Sequence, residues 1–129
     1  MSKQFWRWHA PVVAWAMIIL VLTWYPKLEV PDTGLNAQDK VAHLSVFALL
    51  GILAIRALTK YEINRLSHAV KVTLLYGTSF AIVDEALQAL IPGRSADLFD
   101  ALANIAGVLV SAIVFRYIVF PIHKRYGLY

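Results

Sequence analysis

Cysteine is absent from the 129 residues of this chain. Disulfides, zinc–thiolate sites, iron–sulfur clusters and thiol nucleophiles are therefore excluded. The sequence also lacks a glycine-rich phosphate loop, a G-x-S-x-G nucleophile motif and an H-E-x-x-H zinc motif. It contains no internal repeat and no low-complexity segment. These absences leave no common soluble-enzyme motif on which to base a function.

Charged residues are scarce. They form 16% of the chain and hydrophobic residues form 60%, whereas globular proteins average about 25% and about 45–50%. A soluble chain this small has a high ratio of surface to volume and needs more polar residues to cover itself. The composition therefore predicts a protein whose exterior faces lipid.

Four apolar segments are predicted to cross a membrane, because a hydrocarbon core of about 30 Å requires about 20 mostly apolar residues in a helix. They cover residues 10–25, 41–59, 69–91 and 98–120. We predict an all-α fold in which residues 1–129 form one domain, a compact bundle of four transmembrane helices. Proline and glycine predict an irregular loop over residues 26–38 and a tight turn over residues 92–95.

The basic residues predict the orientation of this bundle. If the N-terminus is cytoplasmic, nine of the twelve Lys and Arg residues lie on the cytoplasmic side, and seven of the eight acidic residues lie at or toward the outside. The positive-inside rule then places both termini in the cytoplasm of a multi-pass protein of the cell inner or plasma membrane. The basic pI of 9.5 thus reflects topology, and no nucleic-acid partner is expected.

Polar residues of three segments are predicted to lie at one depth near the outer surface. Asp39 and His43 are four residues apart and share a helix face. Asp84, Glu85 and Gln88 fall in the last turns of the third helix. The fourth helix presents one polar and small-residue stripe, made of Asp97, Asp100, Asn104, Gly107 and Ser111. Because an isolated carboxylate in the bilayer costs at least about 2.5–3.5 kcal/mol, these residues are expected to line a wet cavity or the bundle interior.

Each residue also has a structural interpretation. Asp39 would cap the second helix while Lys40 extends to the interface. Asn104 would form a hydrogen bond between helices. Arg94 would pair with Asp97 in the loop.

The ordered set of motifs resembles the VanZ-like family of small membrane proteins. Its segments are Asp39-Lys40-Val41-Ala42-His43, then Asp84-Glu85-Ala86-Leu87-Gln88, then Pro92-Gly93-Arg94-Ser95 followed by Asp100, Asn104 and Gly107. The name-giving member of that family is linked to resistance to the glycopeptide antibiotic teicoplanin. The resemblance implies that the functional residues are Asp39, Lys40, His43, Glu85, Gln88, Arg94, Asp100 and Asn104.

Two functions fit this set of residues best. In the first, an outward-facing polar cleft recognises an envelope lipid head group, a lipid-linked precursor or a lipoglycopeptide, with Asp39, Lys40, Gln88, Arg94 and Asn104 as binding residues. In the second, the cleft is a membrane-embedded hydrolase or transferase in which Glu85, His43 and Asp100 are catalytic.

A small transporter and a purely structural subunit are further alternatives, and a homo-oligomer stays open. No cofactor or metal is expected. A divalent cation among Asp39, His43, Glu85 and Asp100 is the alternative to that expectation.

Overall fold

The structure is a computed structural model that describes residues 3–24, 37–92 and 96–126. These residues form helices and turns with no strand among them, so the all-α fold class is confirmed. The helices are α1 (Lys3–Trp8), α2 (Ala10–Trp24), α3 (Ala37–Thr59), α4 (Leu66–Gln88), α5 (Leu98–Val114) and α6 (Phe120–Tyr126). A 3₁₀ turn over Ile63–Arg65 precedes α4, and a π-helical turn over Phe115–Val119 joins α5 to α6.

Three helical stretches of the described chain are long and apolar enough to cross a membrane: Gln38–Thr59, Ile63–Gln88 and Leu98–Tyr126. The apolar helix α2 has 15 residues and is therefore about 22 Å long, which is shorter than a hydrocarbon core of about 30 Å. The four-span topology and the cytoplasmic location of both termini remain predictions. The predicted loop over residues 26–38 falls largely outside the described residues.

Several helix boundaries differ from the predicted ones by three or four residues. The second apolar helix begins at Ala37 instead of residue 41, so Asp39 lies within its first turn and is not its N-cap. The third begins at Leu66 and ends at Gln88, three residues earlier at each end than predicted. The fourth begins at residue 98 as predicted, because the Asp97 side chain accepts a 2.8 Å hydrogen bond from the backbone N–H of Phe99 and so caps the helix.

The most extensive helix contact joins α3 to α5. It depends on glycines, which have no side chain. A Cβ added at Gly107 would overlap the backbone carbonyl of Leu44, and one added at Gly51 would overlap the Ser111 side chain. The two helices therefore approach each other closely, as small residues allow in membrane bundles. Their shared core contains Phe47, Leu50 and Val108, with Ile19 of α2 and Ala81 of α4 packed against them.

The exterior of the bundle is apolar. Large hydrophobic side chains along α4 and α5 are more than half exposed, among them Leu75, Ile82, Leu109 and Ile113. Patches of this extent are rare on soluble monomers and are typical of a surface that faces hydrocarbon.

One end of the bundle is built from aromatic and basic residues. There α3 ends in a turn where Lys60 and Tyr61 adopt positive φ angles of 48° and 62°. The Tyr61 ring stacks on His123, with an interplanar angle of 6°, and contacts the rings of Trp8 and Phe115. The opposite end, where α3 begins, α4 ends and α5 begins, is called the polar end below.

Candidate functional site

Side chains of α2, α3, α4 and α5 meet at the polar end. Because α3 and α5 begin there while α2 and α4 end there, residues distant in sequence come to one depth. Five acidic residues belong to this group, together with one lysine and one histidine. We call the following residues the polar cluster: Thr23, Asp39, Lys40, His43, Asp84, Glu85, Gln88, Asp97, Asp100 and Asn104.

Lys40 links α3 to the start of α5. Its ammonium group donates to the Asp100 carboxylate at 2.9 Å and to the Asp97 carboxylate at 3.4 Å. The interpretation that Lys40 only extends to the interface is therefore wrong, because its charge is shared between two acids of another helix.

His43 has different partners on its two ring nitrogens. Its Nδ1 lies 3.1 Å from the Oδ1 of Asn104, which is fully buried. Since an amide oxygen only accepts, the tautomer with a proton on Nδ1 would donate to it. The Nε2 lies 3.7 Å from an oxygen of Asp39 and 3.8 Å from an oxygen of Asp100. Asn104 thus sets the orientation of the ring while two carboxylates face its other nitrogen.

Glu85 is buried near the end of α4, and its two carboxylate oxygens are not equivalent. Oε1 accepts a 2.6 Å hydrogen bond from the backbone N–H of Asp97, which ties α4 to the start of α5. Oε2 is buried and has no hydrogen-bond partner among the described residues, and the same holds for the Nδ2 of Asn104. Buried polar atoms are nearly always paired, so these two are exceptions within the cluster.

Thr23 brings α2 into the cluster. Its hydroxyl donates to Asp84 at 2.5 Å, and the Asp84 carboxylate also accepts from Gln88 at 3.4 Å. All three side chains are buried. Sequence analysis missed Thr23 as a site residue, although it is the polar residue in the last turn of an otherwise apolar helix.

A cavity of about 160 Å³, called the upper cavity, adjoins these side chains. Its polar wall consists of Thr23, Asp39, His43, Asp84 and Gln88, and its apolar wall comes from α2 and α3. The site therefore combines an accessible space with acidic and neutral hydrogen-bonding groups.

Acidic side chains outnumber basic ones in the described part of the cluster, with five acids against one lysine and one histidine. At its edge, the N–H of Phe99 and the ammonium of Lys40 hold the pKa of the Asp97 carboxyl below its ordinary value. The arrangement is suited to hydroxyl or ammonium groups, which donate to carboxylates.

One group of metal-ligating side chains is present in the described residues: ligand atoms of Asp39, His43 and Asp100 lie within 4.8 Å of one another. Glu85, the fourth residue of the predicted cation set, is not part of this group. Lys40 pairs with Oδ1 of Asp100, whereas Oδ2 of the same carboxylate faces His43.

The structure brings together most of the residues predicted from the sequence. Direct contacts join Asp39, Lys40, His43, Asp100 and Asn104. Glu85 is linked to them through the backbone N–H of Asp97. Gln88 donates a hydrogen bond to Asp84, and both residues line the upper cavity. Arg94 lies outside the described residues, and so does its predicted pairing with Asp97. The resemblance did not include Asp97, whose position just before a helix is typical of an N-cap.

A family model described as VanZ/LLP1 matches residues 5–120. This range contains every residue of the polar cluster. No curated protein matches the chain, and no solved structure matches it.

Proposed function

Since the chain belongs to the VanZ/LLP1 family, we propose that this membrane protein recognises the polar head of an envelope amphiphile at its polar cluster. The ligand would be a lipid head group, a lipid-linked precursor or a lipoglycopeptide such as teicoplanin. The site would face outward from the cell inner or plasma membrane, and sequestration of a lipoglycopeptide there would give resistance.

One observation carries this proposal: the cluster contains two buried polar atoms without hydrogen-bond partners among the described residues, and one of their residues, Asn104, contacts His43 in the wall of the upper cavity. These atoms are Oε2 of Glu85 and Nδ2 of Asn104. Leaving a buried polar group unpaired costs about 1–3 kcal/mol, and a ligand that supplies the missing hydrogen bonds recovers this cost. A purely structural cluster gains nothing from unpaired atoms.

The charge of the cluster supports a ligand that donates hydrogen bonds. Hydroxyl groups of a sugar or the ammonium group of a lipid would pair with Asp39, Asp84 and Glu85. Recognition of a phosphate or carboxylate depends on Arg94, whose planar guanidinium is suited to such anions.

Titration calorimetry on the purified protein in neutral detergent tests the proposal, with teicoplanin and dihexanoylphosphatidylethanolamine as probes of the two ligand sources. We expect at least one probe to bind the parent. Glu85→Gln should weaken its binding about tenfold or more, because a hydrogen bond to a charged acceptor contributes about 1.5–3 kcal/mol.

Glu62→Gln is the matched control, since Glu62 is exposed and pairs with Arg65 at the other end of the bundle. This variant should bind like the parent. Binding of neither probe, or equal binding by the parent and Glu85→Gln, would overturn the proposal.

The orientation of His43 supports a second candidate, a hydrolase or transferase in the same cleft. Asn104 holds the ring so that Nε2 faces Asp39 and Asp100 beside the upper cavity. In this mechanism His43 accepts a proton and Glu85 acts as the acid. The two do not form a hydrogen bond with each other in the described structure, so a substrate or water would join them.

Mass spectrometry of phosphatidylethanolamine and teicoplanin after incubation with the protein separates the two candidates. Turnover that His43→Gln abolishes while binding is retained supports catalysis. Binding without any product supports recognition alone.

A further inference from the structure

A second cavity, called the lower cavity, lies between α2, α3 and α4 and has a volume of about 310 Å³. Its walls are almost entirely apolar. Buried residues of α3, α4 and α5 form its floor, among them Leu50, Ala57 and Val108. Val13 of α2 and Tyr76 of α4 stand at its rim and are more than half exposed, so the cavity opens sideways through the apolar exterior of the bundle.

The lower and upper cavities lie next to each other along the groove between α2, α3 and α4, which we call the seam. On α3, Phe47 lines the upper cavity and Leu50 the lower one, one turn further along the helix. On α2 the corresponding pair is Ile19 and Ala16, and on α4 it is Asp84 and Phe80. The same three helices therefore present a polar cavity at the polar end and an apolar cavity directly beside it, away from that end.

Thr73 is a buried polar residue in the wall of the lower cavity. It lines the cavity and is 4% exposed, and its hydroxyl has no hydrogen-bond partner among the described residues. Threonine hydroxyls within helices commonly bond to a backbone carbonyl one turn earlier, as Thr59 does with Ile55. The Thr73 hydroxyl makes no such bond among the described residues, and the apolar walls around it forgo dispersion contacts as long as nothing fills the space.

We propose that the lower cavity seats one hydrocarbon chain of the amphiphile whose head group occupies the polar cluster. The inference rests on the proposed function and adds the second half of the ligand. The polar and apolar parts of the seam match the order of head and chain in a lipid, and the sideways opening admits a chain directly from the bilayer.

The charge of the polar wall favours a particular source of this chain. Asp39 and Asp84 face the upper cavity, whereas Lys40 is directed to Asp97 and Asp100. An ammonium head group complements that wall, and an anionic head group does not. The occupant is therefore a bilayer lipid with an ammonium head group.

Photolabelling tests the proposal. The full chain is reconstituted in phosphatidylglycerol vesicles containing a small fraction of phosphatidylethanolamine with a diazirine in one acyl chain. After irradiation, mass spectrometry of peptides should place adducts on lining residues of α3 and α4. Unlabelled phosphatidylethanolamine should reduce this labelling, and phosphatidylglycerol should reduce it less.

Ala54→Phe and Ala14→Phe form a matched pair of variants. Ala54 lines the lower cavity, so a phenyl group there should reduce the labelling severalfold. Ala14 is exposed on α2 and lines neither cavity, so its replacement should leave labelling unchanged. If Ala54→Phe fails to fold, Ala16→Leu fills the cavity from the side of α2 instead. The competition with unlabelled phosphatidylethanolamine uses the parent protein and needs no variant.

Adducts spread evenly over exposed positions such as Leu75 and Leu109, and unaffected by Ala54→Phe, would overturn the inference, because they would show surrounding lipid only. Titration with dihexanoylphosphatidylethanolamine distinguishes this failure from that of the proposed function. If this short-chain probe still binds, the head-group site stands without the chain seat.

Discussion

The two oxygens of the Glu85 carboxylate have separate roles at the scale of the single residue. Oε1 satisfies the backbone N–H of Asp97, while Oε2 has no partner in the described structure. A glutamine keeps an oxygen for that N–H and places an NH₂ group where the unpaired oxygen lies. An alanine removes both.

We therefore predict that Glu85→Gln unfolds at about the same temperature as the parent, whereas Glu85→Ala loses about 1–3 kcal/mol because the Asp97 N–H loses its acceptor. Thermal unfolding of the three proteins in one detergent measures the difference. Equal destabilisation by both substitutions would show that the charge itself holds the helices together.

The ionisation of the Asp97 carboxyl makes the stability of the fold depend on pH. Its pKa lies below its ordinary value of 3.8 because the charged carboxylate accepts from the Phe99 N–H and pairs with Lys40. A depressed pKa in the folded state stabilises the fold above the pKa of the unfolded state, and this contribution is lost as the pH falls through the folded value.

The unfolding temperature of the parent should thus exceed that of Asp97→Asn at about pH 6, and the gap should close as the pH falls below 3.8. Asparagine still caps a helix, so the comparison isolates the charge while the other acids titrate in both proteins. A gap that is constant with pH would contradict this assignment.

At the scale of the helices, the close approach of α3 and α5 places Asp39, Lys40 and His43 within reach of Asp100 and Asn104. The approach depends on Gly107, where an added Cβ would meet the backbone of Leu44 and Ala48, and on Gly51, where it would meet the side chain of Ser111. Only the second contact is with a side chain, so it can be relieved by a substitution on the other helix.

Gly51→Ala should cost about 1–3 kcal/mol of stability through overpacking, and Ser111→Gly should recover part of this loss in the double variant. A double-mutant cycle of unfolding free energies measures the coupling. Gly107→Ala is the comparison, because no side-chain truncation removes its overlap with the backbone of α3. Additive effects of Gly51→Ala and Ser111→Gly would show that α3 and α5 are farther apart than described.

At the scale of the whole molecule, the orientation in the membrane decides which compartment the polar cluster faces. The predicted topology places the turn after α4 outside and the turn before α4 in the cytoplasm. Since the chain has no cysteine, single cysteines report the side unambiguously.

Pro92→Cys should react with a membrane-impermeant maleimide added to intact cells, and Asn64→Cys should react only after the membrane is opened. Both positions are exposed. Labelling of Asn64→Cys alone in intact cells would reverse the topology and turn the polar cluster toward the cytoplasm.

The fold class and the residue types of the site were predictable because they follow from local patterns. Apolar runs predicted the helical segments, and a helical period of 3.6 residues placed Asp39 beside His43 and Asp100 beside Asn104. The exact helix ends were not predictable from hydropathy. Polar residues such as Asp97 and Gln88 fit equally well just inside or just outside a helix, so hydropathy does not locate the boundary. Capping hydrogen bonds decide where each helix starts or stops.

The composition and spacing of the residues establish that the chain is helical and apolar outside, and that most of its acidic residues gather near one end of the helices. The packing of the helices determines which polar groups meet: Lys40 joins Asp97 to Asp100, Thr23 of α2 pairs with Asp84, and Glu85 accepts from the N–H of Asp97 while its other oxygen has no partner among the described residues. It also determines that polar and apolar cavities follow one seam. The period of a helix determines on which face of that helix a residue lies. Which residues of another helix that face contacts depends on how closely, and in what register, the separate backbones pack.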